Sequence, residues 1–284
     1  MKKSENKYTN NIFENIKHID EYGNEYWYAR EFSKVLEYKD WRNFLKVLNK
    51  EKETWWNKIV ICWNGEFMKK KILIIVTNFL IILIIVVLYA LYRFNYIPHK
   101  KYTNEDFNIK TYISKTDKDN DGIDDQTDIL NNVRDYIKTN PKYKSKYYAT
   151  GYPNDEYGVC TDVVAFGLKG AGYDLMNLVN EHIKTNRNLY DIDVIDKNID
   201  FRRVQNLKVY LDNNAIALTN DINKIKEWQG GDIVVFKNHI GIVSDKRNKK
   251  GVPFIIHHAN PYQRYYEEDI LEYRNNIIGH YRIS

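Results

Sequence analysis

Hydrophobic positions divide the chain into one unbroken apolar run and a longer stretch of short, mixed segments. Residues 72–92 carry no charge, and Thr77 and Asn78 are their only strongly polar members. As a helix they span about 30 Å, the thickness of a bilayer's hydrocarbon core. A buried core helix rarely stays apolar on every side for that length, so a transmembrane helix is predicted. Downstream, Ile129, Val133, Tyr136 and Ile137 recur at helical spacing and predict a helix starting at Asp128. Gly158-Val159-Cys160-Thr161-Asp162-Val163-Val164 opens a short apolar helix closed by Gly170-Ala171-Gly172. Three strands follow: one through Ile233-Val234-Val235-Phe236, one starting at His239, and one over 252–258 that ends in His257-His258.

The 284 residues hold 24 Tyr, 6 Trp and only 5 Pro, which excludes a disordered or collagen-like chain. Two cysteines exclude a disulfide scaffold. The net charge of +5 is unevenly spread. From Tyr102 onward there are 25 Lys and Arg against 27 Asp and Glu, so the C-terminal part has no charge basis for binding nucleic acid. Met68-Lys69-Lys70-Lys71 before the apolar run places the N-terminal side in the cytoplasm by the positive-inside rule. The run is longer than a signal-peptide core and no A-x-A-like site follows it. An uncleaved single-pass anchor in the cell membrane is therefore expected, with the C-terminal domain extracytoplasmic. Cys62 and Cys160 then lie on opposite sides and cannot pair within one chain. An unpaired thiol on the oxidising side calls for a reason, and catalysis is a common one.

Asp117-Lys118-Asp119-Asn120-Asp121-Gly122-Ile123-Asp124-Asp125-Gln126-Thr127-Asp128 has the D-x-D-x-D-G form of a calcium loop. Oxygen ligands would come from Asp117, Asp119, Asp121, the Ile123 carbonyl and Asp128, with Gly122 making the turn. Asp128 stands where helix–loop–helix sites carry a longer Glu. The alternative is a solvated acidic loop, but clustered carboxylates without a counter-ion repel. A structural calcium ion is expected, and no cofactor for catalysis.

Cys160 at a helix start sits in the partial positive charge of the helix terminus, which favours thiolate. A lone cysteine is more often a small buried hydrophobe. The ordered set changes that balance: a Cys-bearing helix is followed by neighbouring strands bearing His and a second polar residue. That is the order a papain-like site needs, with thiolate attack, an imidazole shuttling the proton, and a further group orienting the imidazole.

Tyr148, Gly158-Val159-Cys160-Thr161-Asp162, Trp228-x-x-Gly231-Asp232-Ile233-Val234, His239-Ile240-Gly241-Ile242-Val243 and the His257 strand resemble the NlpC/p60 cysteine peptidases. Asp196-Lys197-Asn198-Ile199-Asp200-Phe201-Arg202-Arg203-Val204-Gln205-Asn206-Leu207 and Gly279-His280-Tyr281-Arg282 narrow the resemblance to the branch DUF1287, over about residues 115–284. The resemblance implies an α+β fold, a papain-like domain with a Cys-bearing helix packed on a small antiparallel sheet, behind the single transmembrane helix. It also implies Cys160 as nucleophile, His239 as general base and His257 as the residue orienting it. His258 is the rival for that last role, since adjacent strand residues face opposite ways. The Cys160 backbone N–H and the Tyr148 hydroxyl would form an oxyanion hole. Enzymes of this type cut amides in peptidoglycan stem peptides, which makes the cell envelope the expected partner.

Two departures stand out. Asp162 occupies a position where the peptidase pattern has glycine, and it would bind a substrate amine or raise the thiol pKa. Arg202-Arg203 has no counterpart in that pattern and suits a carboxylate or phosphate, unless it is a solvated loop. The arginines motivate an esterase, deacylase or acyltransferase as the alternative chemistry. A binding module holding zinc through Cys160, Asp162, His239 and His257 is the third reading, although the spacing fits no compact zinc motif.

Near the start, Phe13-Glu14-Asn15-Ile16-Lys17, Gly23-Asn24-Glu25-Tyr26-Trp27-Tyr28-Ala29-Arg30-Glu31 and Tyr38-Lys39-Asp40-Trp41-Arg42-Asn43-Phe44 resemble the Bro-N-like beginning of DNA-damage-inducible protein D, over about residues 10–50. The expected organisation is a truncated Bro-N-like remnant at 1–67, read through from a neighbouring coding region into an anchor start at Met68. The anchor follows at 68–95, a linker at 96–116, the acidic loop at 117–128 and the NlpC/p60-like domain at 129–284.

Overall fold

The computed structural model describes residues 14–64, 66–274 and 276–283, with the side chains of 55–69 outside that description. Phe13 and the side chains of Trp55, Trp56, Cys62, Trp63, Met68 and Lys69 therefore lie outside the described residues. The chain forms two compact units, Met1–Ile85 and Val86–Ser284.

In the first unit, β1 (His18–Ile19) and β2 (Glu25–Tyr26) pair antiparallel, followed by α1 (Ala29–Val35) and α2 (Trp41–Asn64). Among the described residues before Val86, Phe44 is the only buried hydrophobic side chain, ringed by Phe32, Tyr38 and Trp41. Helix α3 (Glu66–Arg93) holds the apolar run. Its segment Lys70–Arg93 is long and apolar enough to cross a membrane, and its apolar length is not packed against protein.

The second unit is α+β. Its helices are α4 (Asp125–Lys138), α5 (Cys160–Gly170), α6 (Leu175–Thr185), α7 (Lys197–Asp200) and α8 (Val204–Asn214). Two short parallel strands, β3 (Lys142–Tyr143) and β4 (Tyr157–Gly158), set Tyr143 beside Gly158. The main sheet is β5 (Ile216–Ala217), β6 (Ile233–Phe236), β7 (His239–Arg247), β8 (Pro253–Ile256), β9 (Glu267–Glu268) and β10 (Ile277–Arg282). It is antiparallel throughout, in the order β5-β10-β6-β7-β8-β9.

Strand alternation divides the apolar side chains between the two faces of this sheet. Ile233, Val235, Ile240, Ile242 and Ile256 meet Ile129, Val133, Val163, Val164 and Leu168 from α4 and α5. Val234, Phe236, Val243 and Ile255 form a second cluster with Trp228, Ile270 and Leu271. Burying each such side chain contributes about 1.5–3 kcal/mol, so α5 is held firmly along the sheet.

The predicted helix after the acidic loop begins at Asp125, three residues before Asp128. Asp124 is its N-cap, accepting from the Thr127 N–H. The three predicted strands are β6, β7 and β8; β5, β9 and β10 complete the sheet.

Candidate active site

Cys160 is the first residue of α5, where the chain turns out of β4 into the helix. Val159 has no side chain able to cap, so Asp162, three residues in, takes over: its Oδ2 accepts the Val159 N–H at 2.8 Å. Opposite the helix start, β6 and β7 form a hairpin through Lys237-Asn238 that pairs Phe236 with His239. The Ile240 N–H faces the Cys160 sulfur, which places the sulfur where β7 begins.

His239 Nε2 lies 2.9 Å from His257 Nδ1, the two rings meeting edge to face. Gly241 permits this approach of β8 to β7: a Cβ there would stand 2.9 Å from the Ile256 carbonyl oxygen and 3.1 Å from the His257 Cβ. His257 Nε2 is in turn 3.2 Å from Glu268 Oε2, off the line of a hydrogen bond. His258 faces the other way and packs between Tyr143 and Tyr266, its Nδ1 buried without a partner. His257, not His258, therefore touches His239. Glu268 is the residue that the sequence reading missed. It lies on a two-residue strand with no apolar alternation to announce it.

Burial dominates the electrostatics. It pushes the Cys160 thiol up to about 11, with Asp162 adding to the rise and the Ile240 N–H opposing it. Burial, then His257 and Arg274, takes the His239 imidazole down to about 2. The resting pair is thus thiol and neutral imidazole, where the helix terminus alone led us to expect a thiolate. Burial also raises Glu268 to about 7, against the pull of Arg274 and His99.

Other predicted residues have different engagements. Asp162 and Arg202 are joined by two hydrogen bonds, Nε to Oδ1 at 2.6 Å and Nη2 to Oδ2 at 2.9 Å, with side chains 0% and 2% exposed. Arg202 Nη1 also donates to the Lys146 carbonyl. This pairing corrects the expectation that Asp162 and Arg202 contact substrate: they hold one another, and through the Val159 N–H they hold the start of α5. Arg203 is half exposed, 3.9 Å from Asp200. Tyr148 is buried and its hydroxyl donates to Asp155 Oδ1 at 2.7 Å, so its proton is directed there rather than at an oxyanion.

The motif residues Asp232, His280 and Arg282 form a structural hub. Asp232 accepts from Arg282 Nε and Nη2, Gln126 Nε2 and the Gln229 N–H, and faces His280 Nε2 at 3.1 Å. The His280 ring stacks on Trp228 at 3.8 Å. These partners tie β6 to β10 and to α4.

In the acidic loop, ligand oxygens of Asp117, Asp119 and Asp121 lie within 4.8 Å of one another. Asp128 lies outside that group: Oδ1 accepts from Asn132, while Oδ2 is buried without a partner. Burial first, then Asp121 and Asp119, pushes Asp128 up to about 6. Among the described residues, Cys160, Asp162, His239 and His257 do not form a comparable metal-ligating group.

The family of the domain of unknown function DUF1287 matches residues 130–283. The chain belongs to the DUF1287 family. Cys160, His239, His257 and Glu268 all fall inside the DUF1287 domain, and the Asp117–Asp121 cluster lies ahead of it. The uncharacterized protein YijF of Escherichia coli (strain K12) is 34% identical over 151 residues, 50% of this chain and 72% of that protein. The N-terminal domain of the BRO family matches residues 15–88, further than the motifs that suggested it and across Met68. No solved structure matches the chain.

Proposed function

We propose that the DUF1287 domain is a cysteine hydrolase of the NlpC/p60 type, held outside the cytoplasm by α3, that cleaves an amide in peptidoglycan stem peptides. The observation that supports this best is the file His239–His257–Glu268, which starts at the residue before Ile240, whose N–H faces the cysteine at the start of α5. Nδ1 of His239 must be the basic atom, because Nε2 is engaged with His257. With Glu268 ionised, a small rotation lets His257 donate from Nε2 to the carboxylate. His257 Nδ1 then accepts from His239 Nε2–H, and His239 Nδ1 carries the free lone pair.

In the reaction, the Cys160 proton passes to His239 Nδ1 as the sulfur bonds to the carbonyl carbon and an electron pair moves to oxygen. The Cys160 backbone N–H stabilises that oxyanion. Collapse restores the carbonyl and breaks the C–N bond, and His239 protonates the leaving amine. Water then attacks the thioester by the same path, giving a carboxylic acid and the free thiol. Transferring the proton during attack suits a resting thiol at about 11. Arg202 is committed to Asp162, which leaves the ester and acyl-transfer alternative without the paired arginines that motivated it.

Full-length protein in detergent, incubated with purified peptidoglycan, should release fragments whose masses show new amine and carboxylate ends. Unchanged peptidoglycan, with the protein folded and Cys160 reduced, would contradict the proposal.

Glu268 gives the reaction a pH signature. Its folded pKa is raised to about 7, so it is protonated below that pH and ionised above. A protonated Glu268 donates to His257 Nε2 and reverses the file, placing a proton on His239 Nδ1. Activity should therefore rise as pH increases through about 7. Glu268→Gln should flatten that rise and lower turnover by about 10²-fold, less than the ~10⁴-fold cost where the carboxylate touches the base directly. An unchanged pH profile in Glu268→Gln would show that the residue does not set the tautomer.

The Asp117, Asp119, Asp121 cluster is the proposed calcium site, its all-oxygen donor set suiting a hard cation. Calcium at about 100 times its dissociation constant should stabilise the fold by about 2.7 kcal/mol. That gain is read as a higher thermal midpoint than in chelator, and Asp119→Asn should reduce it. Equal midpoints in calcium and chelator would remove the ion.

A further inference from the structure

His257 and Glu268, the outer two members of the file, line a cavity of about 550 Å³ together with the residues at which the apolar helix ends. His257, Glu268 and Arg274 line it on the catalytic side, and Arg93, Tyr96 and Tyr262 line it where the chain leaves α3. The helix exit is fastened to the segment carrying Glu268. Asn95 Oδ1 accepts the Asp269 N–H at 3.2 Å, and His99 Nδ1 meets Asp269 Oδ2 at 3.0 Å. His99 also stacks on Tyr92.

The rim is amphipathic. Phe94 is 67% exposed and Tyr262 78% exposed, and both line the cavity with Arg93. Aromatic and arginine side chains just beyond an apolar helix mark the headgroup level of a bilayer. The cavity also holds an excess of positive charge. Arg93 lies over the Tyr273 ring and Arg274 over the Phe236 ring. Among the described residues, neither guanidinium has a carboxylate within ion-pair distance. Two guanidiniums held against rings and outside ion-pair distance of any described carboxylate, with Glu268 the one carboxylate in the lining, suit a phosphate.

We propose that this cavity binds a phosphate-bearing lipid, and that the substrate is a peptide amide still carried on such a lipid, its phosphate held by Arg93 and Arg274. This rests on the hydrolase reading and narrows it to a membrane-borne precursor cut in preference to the finished polymer.

The full chain in phosphatidylcholine nanodiscs, titrated calorimetrically with dihexanoyl phosphatidic acid, tests the binding. Saturable binding is expected, weakened at least 10-fold in Arg93→Gln and in Arg274→Gln and largely retained in Arg274→Lys, which keeps the charge. Equal binding of dihexanoyl phosphatidylcholine, or no binding at all, overturns the proposal. Inorganic phosphate binding as tightly as the lipid overturns its lipid part. The same preparation assayed on peptidoglycan separates the two readings. Cleavage there without lipid binding removes the lipid site and keeps the hydrolase. Lipid binding without cleavage of any amide keeps the site and removes the hydrolase.

Discussion

Cys160→Ala is expected to lower turnover by about six orders of magnitude, the loss that follows removal of a nucleophile from a catalytic unit. No neighbouring group can take over. Thr161 is buried, and its hydroxyl would have to be stripped of a far more tightly held proton. Cys160→Ser should be nearly as inactive, because the file that deprotonates a thiol at about 11 has too little basicity for an alcohol. Thermal unfolding of both variants should stay close to that of the native chain. The change removes one partly buried atom from a helix start already capped by Asp162. Retention of more than about 1% of native turnover in Cys160→Ala would place the nucleophile elsewhere.

Asp162→Ala is expected to be the most destabilising single change near the site, by about 3–5 kcal/mol. The aspartate leaves behind an arginine whose side chain is 2% exposed, and a buried charge without its partner bears the full cost of desolvation. The N-terminal capping bond of α5 is lost in the same step. Removing both partners in Asp162→Asn with Arg202→Met should cost less than Asp162→Ala alone. The buried cation is then gone, and the asparagine carbonyl can still accept the Val159 N–H. Equilibrium denaturation of the native, single and double variants measures the difference. A loss under about 1 kcal/mol for Asp162→Ala would mean that Arg202 finds solvent or another acceptor.

The hairpin and the cysteine helix were legible because each carries a local pattern. Ile233-Val234-Val235-Phe236 and His239-Ile240-Gly241-Ile242-Val243 are runs rich in β-branched residues separated by the two-residue turn Lys237-Asn238. Val163, Val164 and Leu168 give α5 its buried face. The roles of Asp162 and Arg202 were not legible, because the residue types fit a substrate as well as each other. The partnership is made 40 residues apart by the tertiary fold. Glu268 was hidden for another reason. Glu267-Glu268 looks like an exposed acidic pair, and only pairing of β9 with β8 at Ile255 and Ile256 buries it. The charge state of Cys160 escaped for a third: a helix terminus is local and visible, while burial by β7 and its neighbours is neither. The Trp228, Asp232, His280 and Arg282 motifs were read as a family signature, and the structure gives them a physical reason as a buried hydrogen-bonded hub.

In the proposed reaction Cys160 forms an acyl-enzyme on the way to hydrolysis. The most direct measurement is acid quench of the full-length protein during turnover of peptidoglycan fragments, followed by peptide mass spectrometry with and without hydroxylamine. A fragment-sized adduct is expected on the peptide containing Cys160, discharged by hydroxylamine as a thioester is, and absent from Cys160→Ala. Product release that continues undiminished after Cys160 has been fully alkylated would contradict it.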